Sequence, residues 1–266
     1  MRTENRLQYL TEAAKKDGFV SISAAAEHLG VSIETIRRDI NRLCAEKKLR
    51  KIRGGAVPLK LQMRSDAKYE ERKRDSVQEK LLIGREAASM VRSGMTVLFD
   101  SGVSIQSIAQ CLNNVRDMTF ITNSIPIASI LLEKLSQQTV TGRLIFIGGR
   151  IHPENQCASD ILASETLSHY SSDIAFVSCT ALSADAVSTD DTDESRYSAH
   201  LLQRSSTTVL IAESVKLGKN AVCTFARPTD FNRIITADTH PIPDDLQKIL
   251  EGSDTELCVV SDTVSS

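Results

Sequence analysis

Residues 23–43 read SAAAEHLGVSIETIRRDINRL, which predicts two short helices joined by a tight turn. Ser23 can cap the first helix, Gly30 ends it, and Ser32 offers a side-chain oxygen to the start of the second. Apolar residues share one face of the second helix at helical spacing: Ile36, Ile40 and Leu43. An earlier helix is predicted from the spacing of Leu7, Leu10 and Ala14. This order of elements predicts a helix-turn-helix.

The outer face of the second helix mixes apolar, acidic, basic and amide side chains. In a helix-turn-helix this face enters the major groove, where Arg can bond to guanine, Asn to adenine and apolar groups can contact the thymine methyl. A basic segment follows at residues 47–53, and Gly54-Gly55 predicts the turn of a two-stranded wing that contacts phosphates. The predicted DNA-contacting residues are Ser32, Ile33, Glu34, Thr35, Arg37, Arg38 and Asn41 on the helix, and Lys51, Arg53 and Gly54 in the wing.

The net charge of −2 conceals an uneven distribution along the chain. Residues 1–60 carry 13 Lys/Arg and 7 Asp/Glu, a net charge of +6, and the remainder carries −8. A basic small domain joined to an acidic larger one indicates that only the first contacts a polyanion. A solvated charged face is the alternative explanation of the basic half.

Composition argues against several classes of protein. The 266 residues are 41% hydrophobic and 25% charged, and the longest apolar runs, such as residues 125–132, are too short to span a bilayer. The first residues do not resemble a signal peptide, so we expect a cytoplasmic protein without a membrane partner. The six cysteines stand singly, which favours free thiols over zinc ligands or disulfides. We therefore expect neither a metal nor a cofactor.

Residues 59–75 are polar and rich in charges of both signs, which predicts a linker. The two expected domains on either side of it are residues 1–58 and residues 76–262. Ser76 and Glu79 form a Ser-x-x-Glu pattern that predicts a capping box at the next helix. Beyond it, strands and helices alternate. Strands are predicted at residues 96–99, 118–122, 144–147, 174–178, 208–212, 233–236 and 256–260, and helices at residues 105–112, 127–135, 159–169, 193–205 and 244–250.

This alternation predicts a mainly parallel α/β sheet that binds its ligand beyond the carboxyl ends of its strands. Polar loops follow the first three strands, at residues 100–104, at Asn123-Ser124 and at Gly148-Gly149. Small hydroxyls, glycines and backbone N–H groups beside helix N-termini suit a phosphate group. Tight-turn packing is the alternative explanation of the glycines.

Several segments resemble the deoxyribose-operon-repressor (DeoR) family of transcriptional regulators. In the first domain they are AAAEHLGVS (24–32), TIRRDINRL (35–43) and RGGA (53–56). In the second, DSGVS (100–104), TNSIPIA (122–128), Gly148-Gly149 and Lys216 resemble the family's sensor domain, which is similar in fold to ribose-5-phosphate isomerase. The resemblance covers nearly the whole chain. It implies an α/β protein with a small winged helix-turn-helix domain followed by a larger, mainly parallel α/β sensor domain.

The resemblance also implies partners and ligands. The protein would bind a double-stranded DNA operator as a homo-oligomer, a dimer or a tetramer, and would repress carbohydrate genes under the control of a phosphorylated sugar. Asp193 is a further candidate for the sugar's hydroxyl groups. The implied effector-binding residues are Asp100, Ser101, Gly102, Ser104, Asn123, Ser124, Gly148, Gly149, Glu194 and Lys216.

Two segments depart from the family pattern. Residues 178–184, SCTALSA, stand in place of a Gly-rich, Asp-containing loop, and residues 213–216, ESVK, keep the lysine of an Asp-x-Ser-Lys pattern without its serine. The acidic run at residues 190–194 could bind a divalent cation, with a charged helix start as the alternative.

Two other functions stand as alternatives to a regulator. A sugar-phosphate isomerase would need carboxylates and lysines that converge on the reacting atoms, and no such set is evident in the sequence, so we expect no catalytic residues. A ligand-independent DNA-binding protein would use the larger domain only to oligomerise.

Overall fold

The computed structural model describes residues 3–17, 20–46, 48–52, 55–58 and 72–261. The chain divides into two compact units, residues 1–68 and residues 69–266, and each has its own apolar core. Among the described residues, no helix combines the length and the apolar character needed to cross a membrane.

The first unit packs helices against a small antiparallel sheet. Its elements are α1 (Thr3–Asp17), β1 (Val20–Ser21), α2 (Ile22–Leu29), α3 (Ile33–Ala45), β2 (Leu49–Ile52) and β3 (Gly55–Pro58). The strands lie in the order β1-β3-β2. Ile36, Ile40 and Leu43 are buried, as their helical spacing predicts. The arrangement is a winged helix-turn-helix.

The helix starts in this unit agree with the sequence at one position and differ at another. The Ser32 hydroxyl caps α3 by accepting the backbone N–H of Thr35 at 3.2 Å, as predicted. The predicted cap of α2 at Ser23 is wrong, because the helix begins one residue earlier at Ile22 and the hydroxyl that receives a backbone N–H there belongs to Ser21.

The second unit alternates strands and helices along the chain. Its strands are β4 (Thr96–Phe99), β5 (Met118–Thr122), β6 (Gly142–Phe146), β7 (Ile151–His152), β8 (Cys157–Ala158), β9 (Ser172–Ser178), β10 (Ala181–Leu182), β11 (Val187–Thr189), β12 (Ser205–Ile211), β13 (Cys223–Ala226), β14 (Arg233–Ala237) and β15 (Glu256–Val260). Its helices are α4 (Val77–Ser89), α5 (Val103–Cys111), α6 (Ile125–Ser136), α7 (Ile161–Leu167), α8 (Thr192–Gln203) and α9 (Asp244–Glu251).

A parallel sheet forms the centre of this unit, with described strands in the order β15-β14-β12-β9-β4-β5-β6. Helices α4, α5 and α6 cover one face, and α7, α8 and α9 cover the other. Successive residues of a strand point to opposite faces of the sheet. Val97 and Phe99 therefore pack under α4, α5 and α6, and Leu98 packs under α7, α8 and α9. Both faces are buried, which explains the nearly continuous apolar character of the strands.

The predicted strands of the sheet are all present, although β6, β9 and β12 begin earlier than expected. The two-stranded sheet β7-β8 and the three-stranded sheet β10-β11-β13 were not predicted, because strands of two to four residues carry little periodicity. The predicted capping box before α4 is wrong. Ser76 has a left-handed φ of 48° and makes no cap hydrogen bond, whereas Glu79 is buried and accepts the backbone N–H of the distant Ser214 at 2.6 Å.

Candidate functional site

The exposed face of α3 carries the side chains that were predicted to read DNA. Glu34, Arg37, Arg38 and Asn41 are exposed, Thr35 is half-buried, and the apolar Ile33 is 48% exposed at the first turn. Glu34 and Arg37 form a loose ion pair of 3.7 Å between Oε2 and Nη1. These side chains are therefore already accessible to base edges, and no rearrangement of the apolar core is needed for them to reach DNA.

Contacts behind and beside α3 hold this face in position. The Arg6 guanidinium of α1 binds the Asp39 carboxylate of α3 through Nε at 2.7 Å and Nη2 at 3.3 Å, and both side chains are largely buried. Beside the helix, Lys51 of β2 donates from Nζ to Asn41 Oδ1 at 3.1 Å. The predicted contacts Arg53 and Gly54 lie outside the described residues.

A second candidate site is a cavity beyond the carboxyl ends of the adjacent strands β12, β9, β4 and β5. The structure brings seven of the ten predicted effector-binding residues to its wall: Asp100, Ser101, Gly102, Ser104, Asn123, Glu194 and Lys216. It does not bring Ser124, Gly148 or Gly149 there. A Cβ on Gly149 would collide with the Asp160 carboxylate that caps α7, which supports the packing explanation for this glycine.

One wall of the cavity is the loop between β4 and α5. Gly102 has a φ of 126° that side-chain-bearing residues rarely adopt, and a Cβ there would lie 3.3 Å from Ser178 Oγ. The buried hydroxyls of Ser101 and Ser104 flank it at the N-terminus of α5. Unsatisfied backbone N–H groups and the helix dipole at such an end favour an anion.

The floor of the cavity holds the buried carboxyl of Asp100. Its Oδ1 accepts the backbone N–H of Ser101 at 2.8 Å, and its Oδ2 accepts the backbone N–H of Ser178 at 3.0 Å and the hydroxyl of Ser198 at 3.2 Å. Burial raises the pKa of Asp100 to about 7, although these hydrogen bonds oppose the increase. With a pKa of about 7, the carboxyl of Asp100 changes its protonation state near neutral pH.

Glu194 is a second buried carboxyl in the wall. It accepts hydrogen bonds from Thr189 Oγ1 at 3.0 Å and from Asn155 Nδ2. Burial raises its pKa above the ordinary value, and the hydrogen bonds from Thr189 and Asn155 oppose this increase. Its neighbour Asp193 lies outside the wall and pairs with Arg150 and Arg196. In the acidic run at residues 190–194, the Asp191 side chain caps α8.

Lys216 lies in an ion-pair cluster at the wall. Its Nζ is 3.3 Å from Glu213 Oε1, and the buried Lys80 Nζ is 3.3 Å from Glu213 Oε2. Ser104 donates its hydroxyl to Glu213 Oε1 at 2.6 Å. Burial alone would raise the pKa of Glu213, but the two lysines and this hydrogen bond hold it below the ordinary value. Glu213 is therefore a carboxylate that orients Lys216.

Several buried polar atoms of the cavity wall make no hydrogen bond with the described residues. Asn123 Oδ1, Ser159 Oγ and the Tyr197 hydroxyl are buried and have no partner among the described residues. A buried polar group without a partner is costly, so native proteins rarely leave one unless a ligand or water satisfies it. Asn123 Oδ1 can accept a hydrogen bond from a hydroxyl group of a bound polyol, and the hydroxyls of Ser159 and Tyr197 can donate or accept one.

Sequence reasoning missed much of this wall. Glu213 follows the end of β12 and Ser178 is the last residue of β9, so the rule that located Asp100 could have found them. Asn155 comes from the β7-β8 turn and Arg72 from the predicted linker, where no pattern indicated a site. Carboxylates and a lysine do converge at this cavity, contrary to the expectation from the sequence.

Comparisons with known proteins match both units. The model of the DeoR-like helix-turn-helix domain matches residues 6–62, and the model of the DeoR C terminal sensor domain matches residues 75–238. A lactose phosphotransferase system repressor of Staphylococcus aureus is 28% identical over 235 residues, 88% of this chain and 92% of that protein. An uncharacterized HTH-type transcriptional regulator of Staphylococcus epidermidis is 26% identical over 215 residues, 81% of this chain and 84% of that protein.

Solved structures offer more distant likenesses. A transcriptional regulator from Streptococcus pneumoniae TIGR4 has a TM-score of 0.41 and 13% identity, covering 65% of this chain and 85% of that one. Ribose 5-phosphate isomerase from Plasmodium falciparum has a TM-score of 0.36 and 14% identity, covering 54% of this chain and 52% of that one. Likenesses at this level carry no argument about function.

Proposed function

Because this chain belongs to the DeoR family of DNA-binding transcriptional regulators, we propose that it is a repressor of carbohydrate genes whose affinity for its operator is controlled by a phosphorylated sugar. The relative named as a repressor of a lactose phosphotransferase system supports the class of regulated gene. The α3 face supplies the DNA-reading groups, and a homo-oligomer presents paired copies of α3 to repeated half-sites.

The observation that carries the effector proposal is the polarity of the cavity. One wall offers the N-terminus of α5 with the hydroxyls of Ser101 and Ser104, close to the amine of Lys216, and this set suits a phosphate. The buried oxygens of Asn123 and Tyr197 suit sugar hydroxyls. A sugar phosphate carries both kinds of group on one small molecule.

The experiment is a fluorescence-anisotropy titration of the full chain on DNA from its own upstream region, at fixed salt. The panel contains ribose 5-phosphate, fructose 6-phosphate, galactose 6-phosphate and the corresponding free sugars. We expect specific binding that one phosphorylated compound weakens and its free sugar does not. Specific binding that no compound changes would support the ligand-independent alternative and contradict the effector proposal.

DNA reading is tested with Arg37→Ala and, as a matched control, Arg42→Ala. Both arginines are exposed on α3, but Arg42 lies in its last turn and pairs with Glu46 at 3.0 Å. Loss of a base contact is worth about 1–3 kcal/mol, so Arg37→Ala should weaken specific binding at least about fivefold and non-specific binding far less. Equal losses on both DNAs would assign Arg37 to phosphate contacts instead.

A sugar-phosphate isomerase is the second candidate, and the convergence of Asp100, Glu194 and Lys216 favours it. We propose that the protein is nonetheless not an enzyme. Asp100 and Glu194 already accept two or more hydrogen bonds each from the protein, and Lys216 is paired with Glu213. Incubation with ribose 5-phosphate, followed by assay for ribulose 5-phosphate, should show no turnover, and protein-dependent product would overturn this part of the proposal.

A further inference from the structure

Helix α8 contributes three side chains to the cavity wall: Glu194, Tyr197 and Ser198. Their spacing of three and four residues places them on one face of the helix. Glu194 accepts hydrogen bonds from two neighbouring side chains, and Ser198 donates its hydroxyl to Asp100 Oδ2 at 3.2 Å. The Tyr197 hydroxyl makes no hydrogen bond with any described residue. It is therefore a polar group of this helix face that the described part of the chain leaves unused.

Apolar packing accounts for the ring of Tyr197 but not for its hydroxyl. The side chain is 1% exposed, and its ring belongs to the core under α7, α8 and α9. A phenylalanine would fill the same space without burying a polar atom, which is costly when that atom has no partner. The hydroxyl thus has no explanation in the packing, and its position in the cavity wall indicates a ligand.

The Tyr197 hydroxyl stays protonated and can donate a hydrogen bond. Burial raises its pKa well above the ordinary value, and negative charge on Asp100 or Cys157 adds to the increase. A neutral phenol donates one hydrogen bond and can accept another. Tyr197 can therefore act as a hydrogen-bond donor to a ligand at any pH near neutrality.

Asn123 supplies a complementary group to the same cavity. Its Nδ2 donates to the carbonyl of Ala158 at 2.8 Å, so the atom that finds no partner among the described residues is the acceptor Oδ1. Asn123 is also 1% exposed and lines the cavity. A ligand that satisfies both Tyr197 and Asn123 must accept one hydrogen bond and donate another. Sugar hydroxyls do both, whereas the oxygens of a fully ionised phosphate only accept.

We propose that Tyr197 is a specificity-determining residue of the effector site, which donates a hydrogen bond to a hydroxyl group of the sugar and so distinguishes a sugar phosphate from phosphate alone. This inference rests on the proposed function. In that proposal the phosphate lies at Ser101, Ser104 and Lys216, and Tyr197 belongs to a different element, α8. Because the hydroxyl gains its partner only in the complex, it adds to the free energy of binding without stabilising the fold.

The test is isothermal titration calorimetry of the full chain with the sugar phosphates of the panel above, on wild type, Tyr197→Phe and Tyr170→Phe. Both changes remove one phenolic oxygen from a ring that packs against the same core, but Tyr170 does not line the cavity. We expect Tyr197→Phe to weaken binding of the recognised compound at least about fivefold, because a sugar hydroxyl loses its partner in a buried site. Tyr170→Phe should change it less than about twofold. Inorganic phosphate, measured by its competition with that compound, should bind wild type and Tyr197→Phe equally.

A second readout separates recognition from a structural role. In thermal unfolding without ligand, Tyr197→Phe should have a midpoint at or above that of wild type, because the change removes a buried polar atom that no described residue binds. A midpoint clearly below that of wild type would assign the hydroxyl to the fold and overturn the inference.

Two results of the calorimetry would also overturn the inference and leave the proposed function standing. One is equal affinity of wild type and Tyr197→Phe for the recognised compound, and the other is an equal loss of affinity for inorganic phosphate. A wild-type chain that binds no compound of the panel would overturn the proposed function, and the inference with it.

Discussion

Replacement of Asp100 by Asn should make the protein more stable at alkaline pH relative to wild type. The carboxyl of Asp100 is buried in the floor of the cavity, and burial raises its pKa from 3.8 to about 7. A shift of about three pKa units at about 1.4 kcal/mol each corresponds to a penalty of about 4 kcal/mol for charging this group in the native state. Asn has nearly the same shape and carries no charge.

The sign follows from the two protonation equilibria. Below about pH 4 the carboxyl is protonated in both states, and wild type carries no penalty. Between about pH 4 and about pH 7 the unfolded chain ionises while the native state keeps its proton, so wild-type stability falls as pH rises. Above about pH 7 both states are ionised and the full penalty remains.

The variant has a cost of its own that does not depend on pH. The carboxylate accepts the backbone N–H groups of Ser101 and Ser178 on different oxygens, and an Asn amide must turn its NH2 group towards one of them. One buried N–H then loses its acceptor, which costs about 1–3 kcal/mol. Asp100→Asn should therefore be less stable than wild type below about pH 4, by about 1–3 kcal/mol, and more stable above about pH 7, with a total change in the difference of about 4 kcal/mol.

Urea denaturation followed by far-UV circular dichroism, at intervals from about pH 4 to about pH 8, measures this difference. Asp173→Asn is the matched control: its exposed carboxylate accepts one backbone N–H, from Thr96 at 2.7 Å, which an Asn oxygen can still accept, so it tests the removal of a carboxylate charge that is not buried. A difference between Asp100→Asn and wild type that stays constant within about 1 kcal/mol over this range would refute the reasoning.

Three further predictions concern other contacts. Lys216→Gln should weaken sugar-phosphate binding by about tenfold in calorimetry, because a cation of the proposed phosphate wall is lost, and unchanged affinity would remove Lys216 from the site. Asp39→Asn should destabilise the DNA-binding unit by about 2 kcal/mol through loss of its charged bonds to Arg6, seen as about 30-fold faster hydrogen exchange in α3; unaltered exchange would contradict it. Gly84→Ala should lower the free energy of unfolding by about 1–3 kcal/mol, because its Cβ would lie 2.8 Å from the Ser107 backbone of α5, and a more stable variant would show that helix propensity outweighs this crowding.

Local patterns in the sequence were sufficient to predict the helix-turn-helix and the alternating α/β architecture. The spacing of Ile36, Ile40 and Leu43 and the cap at Ser32 depend only on neighbouring residues, and the structure confirms them. The polar loop after β4 was also predictable as part of a ligand site, because the carboxyl ends of parallel strands meet at one edge. Asp100 and Ser101 lie in the cavity wall for this reason.

Tertiary structure decided which other groups join them, because those contacts connect residues far apart in the chain. Glu79 had a local role available as a capping residue, but the fold buries it against Ser214 instead. The order β12-β9-β4-β5 sets Glu213 and Ser178 beside the β4 loop, and no local periodicity specifies that order. Arg72 lies in a segment of linker-like composition, and contacts with distant residues place it at the cavity wall: Lys80 donates to its carbonyl, and its guanidinium donates to Glu154 and Asn155.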